Sequence, residues 1–182
     1  AEQLRIDSLN ESDLRSSFHF AYKFMTDFTP DNSGSWFTQA DGTRVWRLGI
    51  RSAGAYSINV LFSEYEIPEG AQLFLYNPDQ THILGAFNHL NNSKLGILPV
   101  SPVQGEELII EYQEPANVPF HGKLKVGEVN HDYRNIRGYE PQEYGRTYLG
   151  CIKTLACLQE STDKYNEIGR SVVLLIINGT DF

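Results

Sequence analysis

The sequence is poor in cysteine, in methionine and in long apolar runs. Its 182 residues include two cysteines and one methionine, and the longest uninterrupted apolar run covers only residues 172–177. A membrane-spanning helix needs about 18 consecutive apolar residues, so the sequence predicts none. A chain of this length can bury a substantial hydrophobic core without disulfide or metal cross-links.

Basic residues are also scarce relative to acidic ones, and the formal net charge is -8. Nucleic acid is not an expected partner, because phosphate recognition needs clustered lysine and arginine. No histidine stands at a spacing typical of zinc ligands, so we predict no metal site and no cofactor. The histidines are His19, His82, His89, His121 and His131.

The sequence also lacks the Gly-x-Ser-x-Gly pattern that surrounds the nucleophile of many hydrolases. Scattered carboxylates such as Glu64 and Glu106 are typical of solvated strand ends. An enzyme complete within this chain would need His131 and Asp132 to converge with a nucleophile in a cleft. We therefore predict no catalytic residue in this chain.

Apolar residues at every second position dominate what the sequence does contain. This period of two predicts strands with one buried face. The two clearest series are Phe18, Phe20, Tyr22 and Phe24, and Tyr56, Ile58, Val60 and Phe62. About eight such segments, separated by turn signals and with almost no helical periodicity, predict an all-β fold. We expect a jelly-roll-like β-sandwich over residues 17–132.

Changes in composition divide the chain into a domain at residues 1–133, a connector at 134–146 and a segment at 147–182. Residues 1–16 are a polar N-terminal part of the first domain. The connector mixes glycine, proline, arginine and tyrosine without alternation, as exposed linkers do. The chain begins without methionine, which fits either a removed signal peptide or a cut chain.

The continuous apolar run at residues 172–177 predicts a strand buried on both faces, and Asn178-Gly179 predicts a hairpin turn after it. A strand of this kind needs partner strands, which the few following residues do not supply. The run therefore indicates an incomplete second unit. The alternative, that the run is the last strand of the sandwich, has equal support.

Cys151 and Cys157 are too far apart for a Cys-x-x-C redox motif, and no second pair completes a zinc site. In a secreted domain they form disulfides. They pair either with each other or with cysteines further downstream, and we favour the second arrangement.

Trp36, Phe37 and Tyr139 suggest a function of another class. These aromatic residues lie in predicted loops, where they could form a platform for carbohydrate or a cell-surface partner. Trp36 and Phe37 could instead close one end of the core, which we favour. A stand-alone jelly-roll binding module remains the alternative function.

Two stretches resemble parts of one family of secreted enzymes. The first is Cys151-Ile-Lys-Thr-Leu-Ala-Cys157, followed by Arg170-Ser-Val-Val-Leu-Leu-Ile-Ile-Asn-Gly-Thr-Asp-Phe182. It resembles the start of the mature domain of bacterial lysyl-endopeptidase-like serine proteases. The second is similar to the pro-regions of these proteases and includes Pro68-Glu-Gly-Ala-Gln-Leu-Phe-Leu-Tyr76 and Gly127-Glu-Val-Asn-His-Asp-Tyr133. The run from Val45 to Phe62 belongs to this second match.

The resemblance implies a parent precursor with a trypsin-like Ser/His/Asp mechanism, whose three catalytic residues lie beyond this chain. Residues 147–182 are then the first segment of an incomplete β-barrel protease domain. The chain itself is expected to be a non-catalytic pro-domain that assists folding of the protease or keeps it latent. Its partner is the cognate protease domain, and its location is secreted, periplasmic or cell-surface after bacterial-type export.

Maturation of such a precursor requires a cut in the connector. The bond between Arg146 and Thr147 is the preferred candidate, because it leaves a short tail before Cys151. Arg134 and Arg137 are rival positions. The alternative is that these arginines are ordinary loop charges.

Overall fold

The computed structural model describes residues 19–136, together with the backbone of residues 176–177 and 180–181. Strands make up nearly all the regular structure, and a 3-10 turn at His89–Asn91 interrupts them. The strands are β1 (Ala21–Phe28), β2 (Ser35–Thr38), β3 (Arg44–Arg51), β4 (Ser57–Glu66), β5 (Gln72–Tyr76), β6 (Ile83–Phe87), β7 (Leu98–Pro99), β8 (Val103–Gln104), β9 (Glu107–Glu114), β10 (Lys123–Asp132), β11 (Ile176–Ile177) and β12 (Thr180–Asp181). No helix within the described ranges is long and apolar enough to cross a membrane.

The strands of residues 19–136 form two open antiparallel sheets. The first sheet has the order β1-β10-β4-β7, with β8 also paired to β4, and the second has the order β2-β3-β9-β5-β6. This arrangement confirms the predicted all-β sandwich. Strands β11 and β12 pair antiparallel in a separate sheet, with Ile177 opposite Thr180. The predicted turn at Asn178-Gly179 lies outside the described residues.

The core lies between the two sheets and follows the alternation of the sequence. Ile58, Val60 and Phe62 of β4 are fully buried, as the period of two predicts. Trp46 of β3 and Tyr112 of β9 pair with each other and bury their rings against this layer. Burial of side chains of this size contributes about 2 kcal/mol each, which is the main stabilising contribution in a fold of this kind.

Strand β1 differs from its prediction in the burial of its aromatic residues. Phe20, which precedes the strand, is fully buried, whereas Tyr22 is 48% exposed and Phe24 is 47% exposed. Phe18 lies outside the described residues. The register still places Phe24 beside Val129 and Tyr22 beside His131. Both rings therefore share the core-facing side of the first sheet, as predicted, but the second sheet leaves half of each uncovered.

One further prediction differs. Trp36 and Phe37, expected in loops, lie in strand β2 and pair with Trp46 and Val45.

Strand β7 is short and covers only Leu98–Pro99. It lies at the end of the first sheet. An edge position suits proline, because proline has no N–H to donate to a further strand.

Candidate docking site

The second sheet has an unfilled position next to β3. Strand β2 has four residues and pairs only with Arg44–Arg47 of β3, which has eight residues. Residues 48–51 of β3 therefore have β9 on one side and no strand of the described part of the chain on the other. We call this open position, bounded by residues 48–51 of β3 and by Tyr22 and Phe24 of β1, the β3 notch.

One contact between the two sheets and the path of the chain indicate that Tyr22 and Phe24 face this position. Beyond Arg51, the Oγ of Ser52 lies 2.7 Å from Nδ1 of His131, which is the β10 neighbour of Tyr22. The opposite end of β1 leads through residues 29–34 directly into β2. The second half of β1 thus lies over β2, and the first half lies over the gap that β2 does not reach.

The exposed halves of Tyr22 and Phe24 form one apolar surface. Their ring centroids are 4.9 Å apart in an edge-to-face arrangement. An aromatic side chain buries roughly 200 Å² in a core, so covering the exposed halves of both rings removes about 200 Å² from water. At about 25 cal/mol per Å², this burial contributes about 5 kcal/mol before the entropy cost of docking.

The notch also offers backbone groups that have no strand partner within the described part of the chain. The N–H of Ser52 donates to the carbonyl of Glu106 at 2.8 Å, so even-numbered residues of β3 direct their backbone groups toward β9. The carbonyl of Thr43 accepts from the N–H of Gln39 at 2.8 Å, so odd-numbered residues face the β2 side. By this alternation, Gly49 and Arg51 direct their N–H and C=O groups into the notch. An extended chain can pair with them.

The charged side chains at the notch already have partners across the outer face of the sheet. Arg47 Nε lies 2.6 Å from Glu111 Oε2, and Arg51 Nε lies 3.5 Å from Glu107 Oε1. The notch itself therefore combines an apolar roof with backbone donors and acceptors. It fits an extended, uncharged segment.

Ser52 and His131, at one end of the notch, have a hydrogen bond of the kind found between a nucleophile and its base. Catalysis of that type needs a third group that orients the histidine. Asp132 does not supply it, because neighbouring residues of a strand point to opposite faces. Its carboxylate instead accepts from the Ser57 hydroxyl at 2.7 Å and from the N–H of Ile136 at 3.0 Å. His131 and Asp132 thus do not converge.

A second concave feature lies at the other end of the sandwich. It is a cleft of about 350 Å³ between the ends of the two sheets. Basic and acidic side chains line it in similar numbers, so its charge favours neither anions nor cations. The charged and aromatic lining residues include Trp36, Arg44, Glu64, Glu114, His121 and Lys123.

Glu114 is the most buried charged group of this cleft, with 1% of its side chain exposed. Its carboxylate accepts hydrogen bonds from the Gly122 N–H at 2.8 Å and the Tyr112 hydroxyl at 2.9 Å, and His121 Nδ1 lies 2.8 Å away. Burial alone would raise the pKa of Glu114, but these hydrogen bonds outweigh burial and lower it. Burial also raises the pKa of Tyr112 well above its ordinary range. Glu114 therefore stabilises the end of the core as a carboxylate.

Trp36 and Phe37 belong to the predicted aromatic platform. An arginine guanidinium group lies over each of their rings. The Arg44 Cζ lies 4.3 Å from the Trp36 ring centroid, and the Arg47 Cζ lies 5.0 Å from that of Phe37. The Trp36 Nε1 donates to the carbonyl of Pro30 at 3.1 Å. Trp36 is partly buried and packs against the core.

The other residues singled out from the sequence lie outside the described ranges. They are Arg137, Tyr139, Arg146, Thr147, Cys151 and Cys157. Within residues 19–136, no three histidine, cysteine, aspartate or glutamate side chains are grouped closely enough to hold a metal ion. The sequence did not reveal the notch, because only the lengths and the pairing of the strands show that β2 is shorter than β3.

Comparisons with known proteins add no further assignment. No protein-family profile matches the chain, and no solved structure gives a significant match to its fold.

Proposed function

We propose that this chain is the non-catalytic pro-domain of a secreted trypsin-like serine endopeptidase precursor. Its sandwich docks on the cognate protease domain, assists folding of that domain and keeps it latent until the connector is cut. The sequence resemblance supplies the identity of the partner. The observation that carries the docking role is the β3 notch, which combines exposed aromatic rings with unused backbone groups.

A preformed strand position is useful to a folding protease for a physical reason. Trypsin-like domains are built mostly from strands that are distant in sequence, and such long-range pairing is slow. A sandwich that already has its core can hold one strand of the protease in an extended conformation. The buried hydrophobic residues of the described sandwich all lie between Phe20 and Val129, so its core contains no residue of the proposed protease segment.

The alternative, a stand-alone binding module for carbohydrate, has less support. Sugar rings stack on flat, uncovered aromatic faces. A ligand that stacks on Trp36 or Phe37 must first displace Arg44 or Arg47 from the ring. We therefore retain the pro-domain as the function that the geometry supports best.

Refolding of the protease domain tests the proposal. The proposed protease begins at Thr147 and continues in the reading frame beyond Phe182. This protein is denatured and refolded alone or with residues 1–146 as a separate chain. We expect amidase activity on a lysyl or arginyl p-nitroanilide to recover at higher yield with residues 1–146, and an excess of this chain to inhibit the folded enzyme. Equal yields without inhibition would contradict the proposal.

Two neighbouring substitutions on β1 make a matched pair for this test. Phe24→Asp places a charge on the core-facing side of β1, where Phe24 borders the β3 notch. Met25→Asp places the same charge on the opposite face of the same strand, where Met25 is 72% exposed. Only Phe24→Asp should abolish the effect on refolding.

A further inference from the structure

We infer that the peptide bond between Lys94 and Leu95 is the position at which the mature protease cuts the sandwich and so ends latency. This inference rests on the proposed function and adds its regulation. Cutting the connector leaves the sandwich as a separate chain that can still dock, whereas hydrolysis within the sandwich makes its release permanent. In this step water adds across the bond, which leaves a carboxylate on Lys94 and an amino group on Leu95.

Lys94 differs from the other lysine and arginine side chains of residues 19–136. A trypsin-like protease recognises the side chain that precedes the bond, and a basic side chain held by a carboxylate must first leave it. Six basic residues lie in strands, and each forms an ion pair. They are Lys23, Arg44, Arg47, Arg51, Lys123 and Lys125. Arg134 directly follows β10, where its N–H donates to Asp132 Oδ1 at 2.9 Å. Lys94 is exposed in the loop between β6 and β7 and forms no ion pair within the described residues.

The loop presents this bond at its tip. The Gly96 N–H donates to the carbonyl of Ser93 at 3.0 Å, so Lys94 and Leu95 are the two central residues of a tight turn. Leu95 is 79% exposed, and so is Leu90 in the preceding 3-10 turn, which contains no buried residue. A protease binds its substrate as an extended segment, so the turn must open before the bond is cut. Opening here exposes little apolar surface and costs less than opening of the strands.

Hydrogen bonds to the end of β4 hold the loop on both sides of its tip. The Ile67 N–H donates to Oδ1 of Asn92 at 3.0 Å, and Nδ2 of Asn92 donates to the carbonyl of Ile67 at 2.9 Å. The Tyr65 N–H donates to the carbonyl of Gly96 at 2.7 Å. The loop must break some of these hydrogen bonds to open. They therefore set a delay between the cut in the connector and the loss of the sandwich.

The loop and the β3 notch lie at opposite ends of the first sheet. At the beginning of β4, Ile58 pairs with His131, which is the β10 neighbour of Tyr22. At the other end, Tyr65 holds the loop. The ten residues of β4, at about 3.3 Å each, separate the two ends by about 30 Å. A protease domain in the notch thus leaves Lys94 open to a second, free protease molecule, and each sandwich that is cut frees further protease.

A cut after Lys94 divides strands that alternate in both sheets. Strands β1 to β6 stay on one fragment and β7 to β10 on the other, yet β10 lies between β1 and β4, and β9 lies between β3 and β5. The sandwich then persists only as a non-covalent pair of fragments. A short linker holds its ends at an effective concentration of about 1 mM, so at about 1 μM chain the cut lowers the folding equilibrium constant by about 1,000-fold. The docking surface is lost with the fold.

Limited digestion of the full chain with trypsin, followed by mass spectrometry, tests the position of the cut. The bond after Lys94 should be the first one cut within residues 19–136. Lys94→Gln should leave residues 19–133 uncut, and Lys123→Gln, a control at an exposed strand lysine, should leave the cut after Lys94 unchanged. Asn92→Ala removes two hydrogen bonds that hold the loop and should accelerate this cut by about tenfold.

Urea unfolding of the cut chain tests the consequence. The midpoint should fall on dilution from about 100 μM to about 1 μM, whereas that of the uncut chain should not change. A different first cut within residues 19–136, no cut there, or a midpoint of the cut chain that does not depend on concentration would overturn the inference. These measurements need only trypsin and this chain. A failed refolding assay overturns the pro-domain proposal and this inference with it, whereas successful refolding without a cut after Lys94 overturns this inference alone.

Discussion

Replacement of Glu114 by glutamine tests how the sandwich closes its end. The substitution keeps the shape of the side chain but removes its charge and one acceptor. The Tyr112 hydroxyl and the Gly122 N–H both donate to Oε2 of Glu114, and Tyr112 is fully buried. A glutamine oxygen can still accept from both donors, but these two hydrogen bonds lose their charge assistance, and the amide group faces Arg44 and His121 in place of Oε1.

The expected loss of stability follows from the weakening of these two buried hydrogen bonds. A hydrogen bond to a charged group contributes about 1.5–3 kcal/mol, and one between neutral groups contributes about 1 kcal/mol. Arg44 and His121 are 40% and 73% exposed, so water replaces most of what they lose. We therefore expect Glu114→Gln to reduce the free energy of unfolding by about 2 kcal/mol at neutral pH. Glu66→Gln, which removes an exposed ion pair with Lys123, should change it by less than about 0.5 kcal/mol.

The pH dependence gives a second test of the same residue. The pKa of Glu114 is lower in the folded chain than in the unfolded chain, so its contribution is complete above the unfolded value of about 4.3. The contribution is lost as the pH falls through the folded pKa. The difference in stability between the unsubstituted chain and Glu114→Gln should thus shrink below about pH 4.

Urea unfolding followed by tryptophan fluorescence measures both effects, since Trp46 lies in the core. The midpoints at pH 7 and at low pH give the two differences. If Glu114→Gln were as stable as the unsubstituted chain at pH 7, or if the difference did not shrink in acid, the assigned role of Glu114 would be wrong.

Two further predictions concern packing, and both are measured by the same urea unfolding. Phe62→Ala should reduce the free energy of unfolding by about 3–5 kcal/mol, because Phe62 is fully buried. In residues 1–146, Phe24→Ala should reduce it by less than about 1 kcal/mol, because the Phe24 ring is half exposed. Equal losses would contradict the exposure of Phe24. Gly122→Ala should destabilise the sandwich, because the added Cβ would overlap the Tyr112 hydroxyl. Gly49→Ala should leave its stability nearly unchanged, because a Cβ at Gly49 meets no atom within 4 Å. Similar effects of the two alanines would show that the approach of Tyr112 to Gly122 is not tight.

The alternation of apolar residues predicted the faces of the strands because that period is a local property. It correctly placed Ile58, Val60 and Phe62 in the core, and it placed Tyr22 and Phe24 on the core-facing side. It could not show that these two rings remain half exposed. Their exposure depends on the length of β2 in the opposite sheet, and no local pattern contains that length.

The polar cluster at the end of the sandwich was also beyond sequence reasoning. Arg44 and Glu114 are 70 positions apart, and only the pairing of β3 with β9 brings them together. Trp36 was expected in a loop. The short strand β2 forms because Trp36 pairs with Trp46 and packs against the core, which is a tertiary effect.

Binding of the folded protease domain to residues 1–146 tests the central claim most directly. Calorimetry should give a complex that Phe24→Asp weakens by about 100-fold, because it buries a charge where a ring was buried. Met25→Asp should change the affinity by less than about threefold, as expected for a residue outside the interface. Absence of binding, or equal affinities for the two variants, would contradict the assignment of the β3 notch as the docking site of a pro-domain.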